Sequence, residues 1–442
     1  MNKYFFIAIA AVGLLSACSS HDDDFATNDS VGGNVISDDA RMPIKLSFGQ
    51  EVTRGTGTVG GGFKDIQGNT EDNFWAGQSV TILMTEKNTL KPAEFNGVKI
   101  FNHEEFIAPL ASLDVEKGIA YPANDSVRYY PSLGAFDFWG YRLDDAVQSA
   151  PVTNATNDTT SIDFTINGTQ DIMVAKAIPS TQDTLDVIGY STVNNNPIDA
   201  TEAGKRIYSA YAARAGVQPE FKFRHLLSRL KFYVKAGQFE AKDIYIDSIK
   251  VISPITGKLI VAHLGNENEI KRIVWETATD SLTLMQRDEA DPNPKNANLV
   301  DLEPVHPSVT VDDKSQWDPT KVDSVGVGEA ILVAPGIRNS EDPLDDKYNI
   351  TIFMSQPVRK YYNPSEHINP ETGNPYTDEE NVKKETYSNV SKAISRELEA
   401  GKSYNILITV YGLSEIDVTT TLVPWEDGEG FTIIPEDEGF DN

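Results

Sequence analysis

Between Ile44 and Arg54 the chain reads IKLSFGQEVTR, and from Ile44 through Phe48 every second residue is apolar. In an extended backbone Ile44, Leu46 and Phe48 face one way and Lys45, Ser47 and Gly49 the other, which predicts a strand with one buried side. The stretch ends at Arg54. The sequence GTGTVGGG that follows is too rich in glycine to favour a fixed conformation. A strand that precedes an exposed arginine in such a loop is open to being cut away from the fold it completes.

The body continues in short apolar runs with turn residues between them. Phe74 to Met84, Phe136 to Tyr141, Ile162 to Ile166 and Asp171 to Lys176 read as strands, and Phe221 to Val234 as one long alternating segment. Further on, Ile244 to Ile252, Ala330 to Pro335, Tyr348 to Met354 and Ser403 to Tyr411 repeat the style. Helical periodicity is scarce and reaches a weak form only over Val382 to Leu398. Residues 177–217, rich in Asn, Pro and Thr, read as a surface excursion, and a domain boundary is placed at 217/218. Strands of this length between Gly, Pro, Asn and Asp turns predict an all-β chain of β-sandwich architecture, with domains over 42–217 and 218–442.

The first residues change the picture. Lys3 and the apolar Phe5 to Leu15 form an export signal too short to span a membrane, and Leu15-Ser16-Ala17-Cys18 has the form of a lipoprotein cleavage box. Cys18, the only cysteine, would become a lipidated N-terminus, and the acyl chains would hold it to a membrane at roughly 0.8 kcal/mol per buried CH2. An ordinary signal peptide with a chance cysteine is the alternative. Residues 19–41, with the acidic run Asp22 to Asp24, read as a flexible tether, or as a surface-export signal followed by one. The formal net charge of −28 over 442 residues disfavours nucleic acid as a partner.

Motifs that would carry chemistry are few. The six histidines, His21, His103, His225, His263, His306 and His367, are scattered, without a metal-binding spacing. His225, inside an apolar strand, reads as a satisfied core histidine. No nucleophile elbow, phosphate loop or dinucleotide fingerprint occurs in a suitable setting. The expectation is therefore no enzyme, no catalytic residues, no cofactor and no metal. Acidic pairs such as Asp144-Asp145 and the run Glu341 to Asp346 would suit calcium or simply solvent. Tyr361, Tyr362 and Tyr376 would suit stacking on a sugar or packing at a rim.

Near the end, Val418 to Gly428 reads as a strand and turn, and Phe431 to Pro435 as one more extended piece. It is either a closing strand or a donor, over 418–435, that pairs with a neighbouring subunit.

Taken in order, several of these segments resemble the fimbrillin family, the subunits of type V pili. They are the lipoprotein box, the leading strand ending in Thr53-Arg54, Trp75-Ala76-Gly77, Tyr130-Pro131, Gln170 to Ala175, Phe223 to Leu230 and Val423-Pro424-Trp425-Glu426-Asp427-Gly428. The resemblance implies two tandem transthyretin-like Greek-key β-sandwich domains and export as an acylated (palmitate-bearing) lipoprotein of the outer membrane. It also implies cleavage after an arginine and strand exchange between subunits. Arg54 matches the cleavage position, with Arg41 as its rival. Ile44, Leu46, Phe48 and Val52 are then the face that is lost, and Leu422, Val423 and Trp425 belong to the candidate donor. Removing four apolar side chains from a core uncovers on the order of 6–12 kcal/mol of burial, which an incoming strand would recover. Implied partners are other pilus subunits, the outer membrane and a host or bacterial surface ligand. A surface lipoprotein that binds glycan or host ligand without polymerising is the alternative.

Overall fold

The computed structural model describes residues 42–50, 79–107, 119–122, 128–266, 270–288, 299–309, 311, 313–336, 348–359, 382–394, 397–413 and 415–423. The chain begins with β1 (Leu46–Gln50), β2 (Ser79–Glu86), the short β3 (Glu94–Phe95) and β4 (Val98–Lys99), and β5 (Asn102–Ile107). Next come β6 (Ile119–Pro122), β7 (Phe136–Arg142), β8 (Val147–Gln148) and β9 (Val152–Asn154). β10 (Thr159–Thr165), β11 (Met173–Lys176) and, after a helical stretch, β12 (Glu220–His225) complete this part. A closed barrel forms in the order β1-β12-β11-β7-β2-β5-β6. Its central strand β7, FDFWGYR, is buried at every position. One face of β7 lines the barrel, where Phe136 and Phe138 sit, while Trp139 packs outside it against Leu83 and Ala262. Gly140 belongs there for a steric reason: a Cβ would lie 2.7 Å from Cζ of Phe223.

Residues 177–217 correct the sequence reading. They are not a loose excursion but three helices, α1 (Thr181–Val193), α2 (Ala200–Arg206) and α3 (Ala210–Arg214). Ser180, Asp199 and Ser209 cap them, each side chain accepting a hydrogen bond from the first-turn backbone. Val187, Ala203, Ile207, Tyr208, Ala212 and Val217 pack into the same core as Phe138 and Phe221. Alanines carry much of this contact, which leaves only a faint apolar period in the sequence.

The second group opens with β13 (Ser228–Ala236), β14 (Tyr245–Pro254), β15 (Thr256–His263), β16 (Ile273–Trp275) and β17 (Thr279–Thr283). β18 (Met285–Arg287), β19 (Leu299–Asp301), β20 (Val325–Val333) and β21 (Tyr348–Arg359) follow. β22 (Val382–Ile394), β23 (Ser403–Gly412) and β24 (Glu415–Val423) end the described chain. Two sheets, β20-β13-β23-β24 and β17-β14-β21-β22, enclose a core that includes Leu230, Phe232, Ile249, Ile350, Tyr404 and Ile406. The fold is all-β in class, as the alternation predicts. Val382 to Ile394, the described start of the expected helix over Val382 to Leu398, is a strand: β22 pairs with β21 from Tyr348↔Ile394 to Arg359↔Val382. The partner strand's ladder outweighs a weak helical period.

The expected single segment Phe221 to Val234 is two strands, broken at Leu226 and Leu227. The amide of Leu226 there bonds Ile172 O, and that of Gly401 bonds Leu227 O. β12 closes the barrel and sends Phe221 and Phe223 into its core, so the chain crosses over at this break rather than at 217/218. A further sheet, β16-β15-β10-β8 with β9 on β10, joins strands from both sides of the break. Its core includes Ile162, Phe164, Leu227, Leu259 and Leu332. From Met42 onward the described residues form one compact unit.

Candidate functional site

The leading strand occupies a seam. β1 runs parallel to β12, from Ser47↔Glu220 to Gln50↔Phe223, and antiparallel to β6 at Leu46↔Ala120 and Ser47↔Ile119. Without β1 the barrel has two facing edges, β12 and β6, whose backbone groups are short of partners. Leu46 is 1 % exposed and belongs to the core that holds Phe106, Tyr130, Phe221 and Phe223. Met42 and Ile44 are half-buried against that core, and Lys45 faces solvent. The alternation that predicted this strand is thus the alternation the slot uses.

Upstream of β1 the chain stays extended and is held on both edges. On one edge the amide of Ile44 donates to Arg128 O at 2.8 Å and that of Tyr130 to Met42 O at 3.0 Å, around an antiparallel bridge Pro43↔Tyr129. On the other edge no strand lies among the described residues. There the side chain of Gln218 takes over: Lys45 N–H donates to its Oε1 at 3.2 Å, and its Nε2 donates to Pro43 O at 3.3 Å. Tyr130 Oη also lies 3.4 Å from Gln218 Oε1. Burial, and then the neighbouring Tyr208, push the Tyr130 phenol well above its ordinary range, so it remains a neutral donor. An ion pair, Arg128 to Glu104 at 2.7 Å, stands beside this wall.

Of the residues singled out in the sequence, Ile44 and Leu46 line the slot. Phe48 lies in β1 opposite Phe221 by register. Cys18, Arg41, Arg54, Val52 and Trp425 lie outside the described residues. Leu422 and Val423 sit in β24, which pairs with β23 from Gly412↔Glu415 to Ser403↔Val423. β24 ends its sheet; Ile416 is buried, whereas Leu422 is 38 % exposed. The described part of the candidate donor is therefore seated in its own sandwich. Gln218 escaped the sequence reading, because a lone polar residue after a helix carries no periodic signal.

Other titratable groups lie within the fold. His225 is buried in the core, and its Nδ1 makes a hydrogen bond with Asp171 Oδ1 at 2.9 Å. Asp144 bonds Arg142 at 2.5 Å and accepts from the Asp171 amide at 3.3 Å. Burial, opposed by Arg142, pushes its carboxyl up to about 6. His103 contacts Tyr141 Oη at 3.1 Å, and burial and then Lys99 hold it down at about 4. Among the described residues no three His, Cys, Asp or Glu side chains gather as a metal would need. Tyr361, Tyr362 and Tyr376, and the acidic run Glu341 to Asp346, lie outside the described residues.

No family model matches the chain, and no curated relative does. Solved structures similar to it include a Bacteroides uniformis protein provisionally described as a cell adhesion protein. It has TM-score 0.39 and 13 % identity, covering 88 % of this chain and 100 % of that one. A Bacteroides ovatus protein of the same description gives 0.39 and 11 %, over 88 % and 99 %. The fimbrial anchor protein Mfa2 of Porphyromonas gingivalis gives 0.31 and 8 %, over 87 % and 99 %. With TM-scores below 0.5, none of these carries the functional reading, which rests on the slot.

Proposed function

We propose that this chain is a structural subunit of a cell-surface pilus of the fimbrillin kind, anchored in the outer membrane through acylated Cys18 before assembly. In this reading a protease cuts after Arg54, with Arg41 as the rival site, and the leading strand leaves its slot. An extended segment of another subunit then takes its place, the C-terminal stretch 418–435 being the candidate. Cutting at Arg41 would leave β1 in place, so only Arg54 frees the slot. One observation supports this most: β1 closes the barrel's seam by main-chain bonds, with Leu46 buried in the core. Such a seat suits any strand of the right polarity and apolar period. The chain has no catalytic role in this reading, and its partners are other subunits and a surface ligand.

The second reading, a non-polymerising surface lipoprotein that binds glycan or host ligand, draws on the seating of β24. Both the leading and the final described strands are at home, so the monomer is closed. Digestion of the purified full chain with an Arg-specific protease separates the two. Strand exchange predicts one clean cut near Arg54 and then ladders that resist SDS. A cut chain that remains monomeric supports the binding protein.

A further inference from the structure

Gln218 stands where a backbone is missing. In the β1 and β12 register, Ser47 faces Glu220, so Ile44 would face Val217. Val217 is not available for that ladder: its amide turns away to Ala212 O at 3.0 Å, at the end of α3. In a parallel ladder one residue takes the N–H and C=O that flank its partner, on the residues before and after it. The residues flanking Ile44 are Pro43 and Lys45. Their C=O and N–H both go to the Gln218 carboxamide, at 3.3 and 3.2 Å. The side-chain amide thus copies a peptide unit and extends the ladder past the point where β12 bends away.

We propose that Gln218 is a docking residue through which the slot reads the main chain, not the side chains, of whichever extended segment fills it. The ligand is a strand parallel to β12, with its carbonyl two residues before an amide at the Pro43 and Lys45 positions. An apolar side chain follows at the Leu46 position. The part of this that concerns a replacement strand rests on the exchange reading; the holding of the native strand does not.

The experiment uses the full chain and follows hydrogen exchange at the Lys45 amide. Gln218→Leu keeps the bulk and removes both hydrogen bonds. It is expected to speed Lys45 exchange by about tenfold, the size of one such bond. Gln218→Glu keeps the acceptor and is expected to leave Lys45 protected. Phe138 and Val174, inside the barrel wall, serve as controls and should not change. Unchanged Lys45 exchange in Gln218→Leu overturns the proposal. A speed-up shared equally by Phe138 and Val174 also overturns it, since that would mark a general loss of fold. If Gln218→Leu does not fold, Gln218→Glu decides alone: protection kept supports the proposal, protection lost overturns it. After an Arg-specific cut, release of the segment ending at Arg54 should be about tenfold faster in Gln218→Leu than in the unaltered chain. If the unaltered chain is cut and never assembles, the exchange reading fails while the Lys45 measurement still stands.

Discussion

Two rows of strands in this molecule share one pattern. In β6-β1-β12-β11 and in β20-β13-β23-β24 the successive pairings are antiparallel, parallel and antiparallel. In each row the second strand, β1 or β13, is the first of its part of the chain. Their seating differs greatly. β13 pairs with β23 from Arg229↔Ser403 to Ala236↔Val410 and buries Leu230, Phe232 and Val234. Its start is tied down by Ser228 Oγ to Glu399 O at 2.7 Å and by the Arg229 amide to Lys402 O at 2.9 Å. Among the described residues β1 pairs with β12 from Ser47 to Gln50 and buries Leu46, and before Ser47 a side-chain amide stands in place of the ladder. Leu230, Phe232 and Val234, at roughly 1.5–3 kcal/mol each, tie β13 into its core, whereas the stretch before the β1 ladder is held by Gln218 in place of a neighbouring backbone. Topology sets where a leading strand lies, while ladder length and apolar anchors set how firmly it is held.

The largest test of that contrast is Phe232→Ala. It should cost about 3–5 kcal/mol of global stability in urea unfolding, and a loss under about 1 kcal/mol would break the comparison. Leu46→Ala should cost less, about 2 kcal/mol. That cost should appear as faster hydrogen exchange confined to residues 42–50, with β13 and β23 unaffected. If the sandwich exchanges faster as well, β1 is not separable. Gly140→Ala asks how rigid the barrel wall behind the slot is. A Cβ 2.7 Å from Phe223 Cζ should cost about 1–3 kcal/mol through overpacking.

Acid should act on two groups in opposite directions. His103, at about 4 when folded against 6.5 unfolded, contributes stability that is whole above pH 6.5 and is lost as pH falls toward 4. Asp144, at about 6 against 3.8, binds its proton more tightly when folded, so its effect adds stability as pH falls from 6 to 3.8. Asp144→Asn should therefore steepen the acid loss relative to the unaltered chain, and His103→Asn should flatten or reverse it. Urea midpoints across this window check both signs. The smallest effect belongs to the far edge: Leu422→Ser, at a position already 38 % exposed, should change stability by less than about 1 kcal/mol.

The strands were legible where one face alone is buried. Ile44 and Leu46, Ile162 and Phe164, and Phe221 and Phe223 show in the sequence the period they use in the structure. β7, buried on both faces, was legible from its aromatic density. Residues 177–217 were not, since alanines and caps give a weak signal beside the many polar residues. The capping box of Ser180 and Asp183 was the available clue. The break at Leu226 and Leu227 was hidden because apolar residues continue through it from one core to the next. β22 shows the reverse case, in which a partner strand imposed what local preference did not. Gln218 could not be found from sequence, because its role exists only where the backbone of Val217 turns toward α3.

The central claim is that β1 must leave for subunits to join. Ser47 and Glu220 face each other in the parallel register, at the strand spacing of about 4.8 Å that a disulfide can bridge. In a Cys18→Ser background, Ser47→Cys with Glu220→Cys should lock β1 to β12. The prediction is that the oxidised double variant, cut near Arg54, stays monomeric, and that reductant restores SDS-resistant ladders. Ladders of equal yield from the locked protein would contradict the account.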